Sequence, residues 1–66
     1  MNLTINGVSK NINRASNVED LVRLFCPHPT NVITELNGAI IVCASRPKTT
    51  LKDGDMVELV NFVGGG

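Results

Sequence analysis

The first hydrophobic positions of the chain alternate with polar ones, as expected for a strand with one buried face. Leu3 and Ile5 flank a polar residue, Asn6-Gly7 follows, and apolar positions resume at Val8. An Asn-Gly pair between two such runs favours a type I′ turn, because both residues tolerate a positive φ. The start of the chain therefore predicts a β-hairpin. The same reasoning predicts a second hairpin, with strands at residues 32–36 and 39–43 joined by Asn37-Gly38.

Between the two hairpins the apolar spacing changes to that of a helix. Ser16 and Glu19 match a capping box, which predicts that the helix starts there. Pro27 and Pro29 predict where it ends. Apolar residues recur at positions i, i+3, i+4 and i+7, namely Val18, Leu21, Val22 and Phe25. We expect them to form one buried stripe.

The last third of the chain predicts an irregular crossing at residues 44–52, a sharp turn at Asp53-Gly54-Asp55 and a closing strand at residues 56–63. Along that strand, alternation places Val57 and Leu59 under the helix and directs Val60 and Phe62 away from it. The predicted element order is ββαβββ. One amphipathic helix on a mixed sheet is an α+β plan, and we expect it to occupy residues 1–63.

Size and charge exclude several classes of function. A domain of 66 residues buries only about 60% of the surface of its unfolded chain, which leaves little room for an internal catalytic cavity. Acidic and basic residues balance, so no electrostatic footprint for nucleic acid is expected. The basic residues are scattered: Lys10, Arg14, Arg23, Arg46, Lys48 and Lys52. With two phenylalanines as the only aromatic residues, there is no stacking platform for bases.

Other features predict a cytoplasmic protein without a metal site. No apolar stretch reaches the ~20 residues of a membrane span, and the start of the chain lacks the pattern of a secretory signal. Cys26 and Cys43 are expected to be small buried hydrophobes in a reducing compartment. His28 has no second ligand at metal spacing and is expected in an exposed loop. Asp53 and Asp55 are expected to serve turn geometry.

Three glycines at residues 64–66 follow the predicted closing strand and end the chain. The carboxylate of Gly66 is therefore a candidate reactive group on a flexible tether. Without side chains, Gly64 and Gly65 could thread a channel too narrow for a Cβ atom. A frayed end or a remnant of cloning is the alternative interpretation of the same residues.

Two segments carry a family resemblance. The run LKDGDMVE at residues 51–58 and the ending NFVGGG at residues 61–66 resemble the ThiS-type sulfur carriers of thiamin biosynthesis, which are ubiquitin-like β-grasp proteins. The likeness covers essentially the whole chain. It implies a β-grasp fold, in which a mixed five-stranded sheet packs on one main helix and a flexible glycine tail follows.

The resemblance implies a role for Gly66 as a substrate of other enzymes. In such carriers an E1-like adenylating enzyme of the ThiF type uses ATP and Mg²⁺ to adenylate the terminal carboxylate. Sulfur from a cysteine desulfurase and rhodanese relay then replaces the adenylate, and the thiocarboxylate donates sulfur to thiazole synthase of the ThiG type. This role implies a monomeric cosubstrate without enzymatic activity or a bound cofactor.

Three other functions stay open from the sequence. The tail also suits a sulfur carrier like the small subunit of molybdopterin synthase, a ubiquitin-like modifier conjugated through Gly66, or a docking module with inert glycines. Each of these functions requires a surface on the folded domain that partner proteins bind. Val60 and Phe62, with the adjacent Val63, are the predicted docking residues. Packing of Phe62 against neighbouring strands is the alternative.

Overall fold

The computed structural model describes residues 1–62, which form one β-sheet covered on one face by a helix. The predicted order of strands and helix is confirmed, and two short 3₁₀ helices, η1 and η2, join the elements. In chain order these are β1 (Asn2–Ile5), β2 (Val8–Asn11), α1 (Val18–Phe25), η1 (Pro29–Asn31), β3 (Val32–Leu36), β4 (Ala39–Ile41), η2 (Cys43–Lys48) and β5 (Met56–Asn61).

The sheet is mixed and five-stranded, with the spatial order β2-β1-β5-β3-β4. β5 runs parallel to β1 and antiparallel to β3, whereas both hairpins are antiparallel. The last strand in sequence is therefore the central strand in space. This arrangement confirms the predicted α+β plan.

Both predicted hairpin turns form at the expected residues. Asn6 and Gly7 have φ values of 51° and 81°, and Asn37 and Gly38 have φ values of 51° and 88°. Positive φ at both central residues is the signature of a type I′ turn. The turns set the register of each hairpin, so that Ile5 pairs with Val8 and Leu36 pairs with Ala39.

The helix begins one residue later than the capping-box prediction. Asn17, not Ser16, is the N-cap, because its side-chain oxygen accepts the N–H of Asp20 at 2.8 Å. Asp20 in turn accepts hydrogen bonds from the backbone N–H and the hydroxyl of Ser16. Glu19 forms an ion pair with Arg23 instead, at 2.6 Å. The predicted pairing of Ser16 with Glu19 is therefore wrong by one position.

The core lies between α1 and the inner face of the sheet, the face that packs on the helix. Phe25 was expected in the core but is 40% exposed at the end of α1, where the Nζ atom of Lys10 lies 5.9 Å from the centroid of its ring. Cys26, the extended C-cap, is buried next to it instead. The buried apolar residues are Leu3, Ile5, Ile12, Ala15, Val18, Leu21, Val22, Cys26, Val32, Leu51 and Val57.

Two element boundaries differ from the predictions. β4 ends at Ile41 rather than at residue 43, and Cys43 begins η2, which occupies much of the predicted irregular crossing. β5 is observed to Asn61. The predicted end of the closing strand at Val63 and the predicted tail at residues 64–66 lie outside the described residues.

Candidate functional site

β5 is the last described strand before the predicted reactive residue, Gly66, and it ends at Asn61. Backbone hydrogen bonding to the segment at the start of β3 continues one residue past the end of β5. There the N–H of Phe62 donates to the carbonyl of Asn31 at 2.9 Å. The predictions for the threading residues Gly64 and Gly65 and for Gly66 itself concern residues outside the described part.

The two faces of β5 differ as the alternation predicts. Val57 is only 1% exposed, and Leu59 is half-buried against the core. On the opposite face, Val60 is 51% exposed and Phe62 is 44% exposed. More than half of the Phe62 surface is therefore covered, and the rest is open to solvent. The docking role predicted for Val60 and Phe62 stays a prediction, and Val63 lies outside the described residues.

The exposed apolar surface extends beyond β5 to the neighbouring strands. We call the side of the sheet away from α1 the outer face. Ile33 of β3 is the direct cross-strand partner of Val60, and it is exposed. Alternation along β5 places Met56 on the outer face as well. The pairing register of β3 and β4 places Ile33 and Ile40 on the outer face, which the sequence alone does not predict. The exposed apolar residues of this face, here called the outer apolar patch, are Ile33, Ile40, Met56, Val60 and Phe62.

The turn residue Asn6 holds the second half of β5 in place. Its side-chain oxygen accepts the N–H of Leu59 at 2.7 Å, and its amide nitrogen donates to the carbonyl of the same residue at 3.2 Å. The ladder between β1 and β5 covers only Thr4 and Ile5 on the β1 side, so Asn6 extends it with a side chain. This pair of contacts orients the segment that leads to Val60.

Asn37 makes the corresponding contacts at the start of β5. Its side-chain oxygen accepts the N–H of Met56 at 2.9 Å, and its amide nitrogen donates to Asp55 at 3.0 Å. Asp53 accepts the N–H of Asn2 at 2.6 Å. Asp55 serves the turn before β5, as predicted, because it also accepts the N–H of Lys52 at 2.8 Å, whereas Asp53 links this turn to β1. The two turn asparagines hold β5 from both of its neighbours.

Arg46 was predicted to be one of several scattered basic residues, but it is a buried cation. It is 2% exposed, and its guanidinium group donates to the carbonyls of Pro29 and Val32 at 2.7 and 2.5 Å. Glu19 lies 3.9 Å away. The two hydrogen bonds join η2 to η1 and to the start of β3. No local sequence signal predicts this role, because two of the three partners are backbone carbonyls.

The two cysteines lie in different environments. Cys26 is buried, as expected, whereas Cys43 is exposed, which corrects the expectation for that residue. Cys43 begins η2, on the surface of the connection between β4 and β5. Burial raises the pKa of the Cys26 thiol above its ordinary value of 9.0, and the positive charge of Arg46 partly opposes this shift.

His28 is exposed in the loop before η1, as the sequence predicts. Over residues 1–62, no three His, Cys, Asp or Glu side chains converge in a way that could hold a metal ion. None of the helices in the same part of the chain is long and apolar enough to cross a bilayer.

Comparison with known protein families covers almost the entire chain, including the terminal glycines. A model described as the ThiS family matches residues 3–66. The chain belongs to the ThiS family. The resemblance inferred from the turn at residues 51–58 and from the glycine ending is thereby confirmed.

Solved structures of the ThiS family support the same assignment. The chain is similar to a crystal structure of the thiamine biosynthesis protein ThiS from Geobacter metallireducens, with 40% identity, full coverage of both chains and a TM-score of 0.82. An NMR solution structure of a thiamine biosynthesis protein from the same organism shows 39% identity and a TM-score of 0.80, and covers 100% of this chain and 88% of that one. The predicted ubiquitin-like β-grasp fold is thus confirmed.

A longer relative contains a segment similar to this ThiS-family chain. It is named thiazole synthase, from Paramagnetospirillum magneticum, and is 35% identical over all 66 residues. The chain spans only 20% of the length of that relative. The similarity therefore concerns one segment of a larger protein.

Proposed function

We propose that this protein is a sulfur carrier for thiamin biosynthesis, whose reactive group is the carboxylate of Gly66. The observation that carries this proposal is the family match over residues 3–66, because it includes the glycine ending as well as the folded domain. The similarity to ThiS from Geobacter metallireducens over the full length of both chains supports it. In this role the protein is a cosubstrate and not an enzyme.

The chemistry follows from the properties of a terminal carboxyl group. Its reference pKa is about 3.3 to 3.7, so it is an anion near neutral pH. One carboxylate oxygen attacks the α-phosphorus of ATP, and pyrophosphate leaves, which forms an acyl adenylate. A sulfur nucleophile then adds to the acyl carbon and AMP leaves with the shared oxygen. When the nucleophile is the outer sulfur of a donor persulfide, the product is an acyl disulfide between carrier and donor. A second thiolate then attacks the donor's sulfur, which leaves a disulfide on that side and releases the carrier with a terminal thiocarboxylate.

The proposal assigns positioning and charge neutralisation to partner enzymes. An E1-like adenylating enzyme of the ThiF type would supply ATP and Mg²⁺, and a cysteine desulfurase and rhodanese relay would supply sulfur. Thiazole synthase of the ThiG type would receive it. The relative named thiazole synthase supports this last partnership, because it joins a segment like this chain to a longer protein. Such a shuttle is expected to be a cytoplasmic monomer.

The outer apolar patch is the proposed docking surface for the adenylating enzyme. Fixing the backbone of one residue costs roughly 1 to 2 kcal/mol, so an enzyme that holds the glycine ending in one conformation needs compensating contacts with the folded body. Phe62 is suited to this because nearly half of its surface is exposed and it lies four residues before Gly66.

Phe62→Ala is expected to weaken binding to the adenylating enzyme by about tenfold or more, since burial of a Phe side chain contributes roughly 1.5 to 3 kcal/mol. Phe25→Ala is the matched control. It removes a phenylalanine that is exposed to a similar extent but lies at the end of α1, on the other side of the sheet. Titration calorimetry measures both affinities. Equal affinities of the two variants would contradict this docking surface.

Intact-mass spectrometry tests the reaction itself. The chain is incubated with the adenylating enzyme, ATP, Mg²⁺ and a sulfur source, and a carrier gains the mass difference of one oxygen-to-sulfur exchange at its end. Deletion of Gly66 is expected to abolish the gain. A covalent conjugate with lysines of larger proteins would indicate a modifier, and a chain of unchanged mass would indicate a docking module. A carrier for molybdopterin synthase would show the same gain but would not support thiazole formation.

A further inference from the structure

Two glutamates oppose each other on the outer face. Glu58 of β5 and Glu35 of β3 are direct cross-strand partners in the antiparallel register. Direct partners in a sheet have Cβ atoms about 4.5–5.5 Å apart, and like charges at such positions destabilise the pair. The register therefore places two like charges at facing positions on β3 and on the central strand of the sheet, β5.

The other acidic side chains all have partners within the chain. The full sequence has six aspartates and glutamates, and all of them lie in residues 1–62. Among the described residues, Glu35 and Glu58 accept no hydrogen bond and form no salt bridge. The four acidic residues that accept a hydrogen bond or form a salt bridge are Glu19, Asp20, Asp53 and Asp55. Within residues 1–62, the two acidic residues whose carboxylates have no partner are thus the two at facing positions.

The pair lies in a groove that could accept a long side chain. The groove has a volume of about 540 Å³ and runs between the two Asn-Gly turns. Both glutamates and Met56 contribute to its lining, and the remaining lining residues are Thr4, Gly7, Asn37 and Gly38. The groove therefore combines two negative charges with apolar surface.

Apolar residues surround the pair on the outer face. Glu58 lies between Met56 and Val60 on β5, and Glu35 lies next to Ile33 with Ile40 as its partner on β4. The acidic pair is thus continuous with the outer apolar patch. A partner that covers the patch must also cover the two carboxylates, and burial of unpaired charges is costly.

We propose that the adenylating enzyme binds this face with an apolar surface that presents an arginine, and that the arginine lies between Glu35 and Glu58. A guanidinium group has five N–H donors in a planar fork, so one group can donate to two carboxylates. Its stem packs on the apolar lining next to Met56. This inference rests on the proposed function, and it specifies the chemistry of the partner surface.

Single neutral variants test the charge. Glu35→Gln and Glu58→Gln keep the size of each side chain and are each expected to weaken binding to the adenylating enzyme by about tenfold at low salt. The loss is expected to shrink in 0.5 M NaCl, where the wild-type interaction is itself weaker. Asn13→Lys is the matched control, because Asn13 is exposed in the loop after β2 and the change alters net charge by the same amount.

A charge-reversal variant separates binding from folding. In Glu58→Lys, the repulsion with Glu35 becomes an attractive cross-strand pair, so the midpoint of thermal unfolding is expected to rise. Binding is expected to fall further than in Glu58→Gln, because the lysine repels the partner's arginine. A variant that is more stable but binds less tightly cannot owe its defect to unfolding.

Affinity and mass gain are measured on the same variants, so that failure of the arginine contact can be distinguished from failure of the carrier function. Affinities of Glu35→Gln and Glu58→Gln equal to that of Asn13→Lys would overturn the arginine contact, while wild-type thiocarboxylate formation would leave the carrier function standing. Charge-sensitive binding without any mass gain would support the contact and contradict sulfur carriage. Absence of binding by the wild-type protein would overturn both.

Discussion

The contact between Asn6 and Leu59 supports a quantitative prediction about the end of β5. Asn6→Gly removes both hydrogen bonds to the backbone of Leu59, yet it keeps the positive φ of the turn accessible. Each hydrogen bond contributes about 0.5 to 1.5 kcal/mol net. These two are exposed to solvent, so we expect a total loss of about 1 to 2 kcal/mol. For a domain of this size, that corresponds to a fall in Tm of roughly 5 to 15 °C.

The assay combines urea unfolding with amide hydrogen exchange. In Asn6→Gly, the N–H of Leu59 loses its acceptor and is expected to exchange faster than the global loss of stability explains. Asn37→Gly is the reciprocal variant, because it removes the acceptor of the Met56 N–H at the other end of β5. Asn6→Gly is expected to speed exchange of the Leu59 amide but not of the Met56 amide, and Asn37→Gly is expected to do the reverse.

Equal effects of the two variants on the two amides would contradict this prediction. If Leu59 and Met56 exchanged at the same relative rates in both variants, the asparagine side chains would not hold β5 locally. A fall in stability shared by both variants would then reflect only the substitution of glycine into the turns.

Arg46 and the two cysteines lead to three further predictions. Arg46→Met is expected to destabilise the fold by about 2 to 4 kcal/mol in urea unfolding, because the carbonyls of Pro29 and Val32 lose a buried charged donor; a loss below about 1 kcal/mol would contradict this. With a thiol reagent, Cys43 is expected to react promptly in the native protein and Cys26 only on unfolding, so Cys43→Ser should remove the fast phase; a fast phase that survives would be inconsistent with this exposure. The raised folded pKa of Cys26 implies that its contribution to stability is complete below pH 9 and is lost as the pH rises through that pKa, because only the unfolded thiol ionises readily. In urea unfolding, the free energy of unfolding is expected to fall less between pH 7 and pH 10 in Cys26→Ala than in the wild type. Equal falls would contradict a raised pKa of the Cys26 thiol.

Features set by neighbouring residues were predictable from the sequence. The type I′ turns depend on the positive φ of Asn6 and Asn37, which is a local property. The start of α1 was missed by one residue because two overlapping pairs suit a cap. The pair of Asn17 and Asp20 forms it, whereas Glu19 pairs with Arg23 at 2.6 Å and lies 3.9 Å from Arg46, a residue distant in sequence.

Features that depend on contacts between distant segments were not predictable. Alternation along β5 was sufficient to place Val60 on the exposed face, but its pairing with Ile33 required the register of β3. The opposition of Glu35 and Glu58 likewise exists only in the assembled sheet. The second role of each turn asparagine was also missed, because its backbone partners on β5 lie far away in the chain.

The central position of β5 has a mechanical consequence for the free carrier. Force applied at the C-terminal end of β5 acts along a strand that is hydrogen-bonded on both sides, to β1 and to β3. Bonds that run across the direction of pull share the load in shear, whereas an edge strand can peel away one bond at a time. If the proposed function holds and an enzyme draws the glycine ending into a narrow site, β5 can bear that pull without first separating from the sheet.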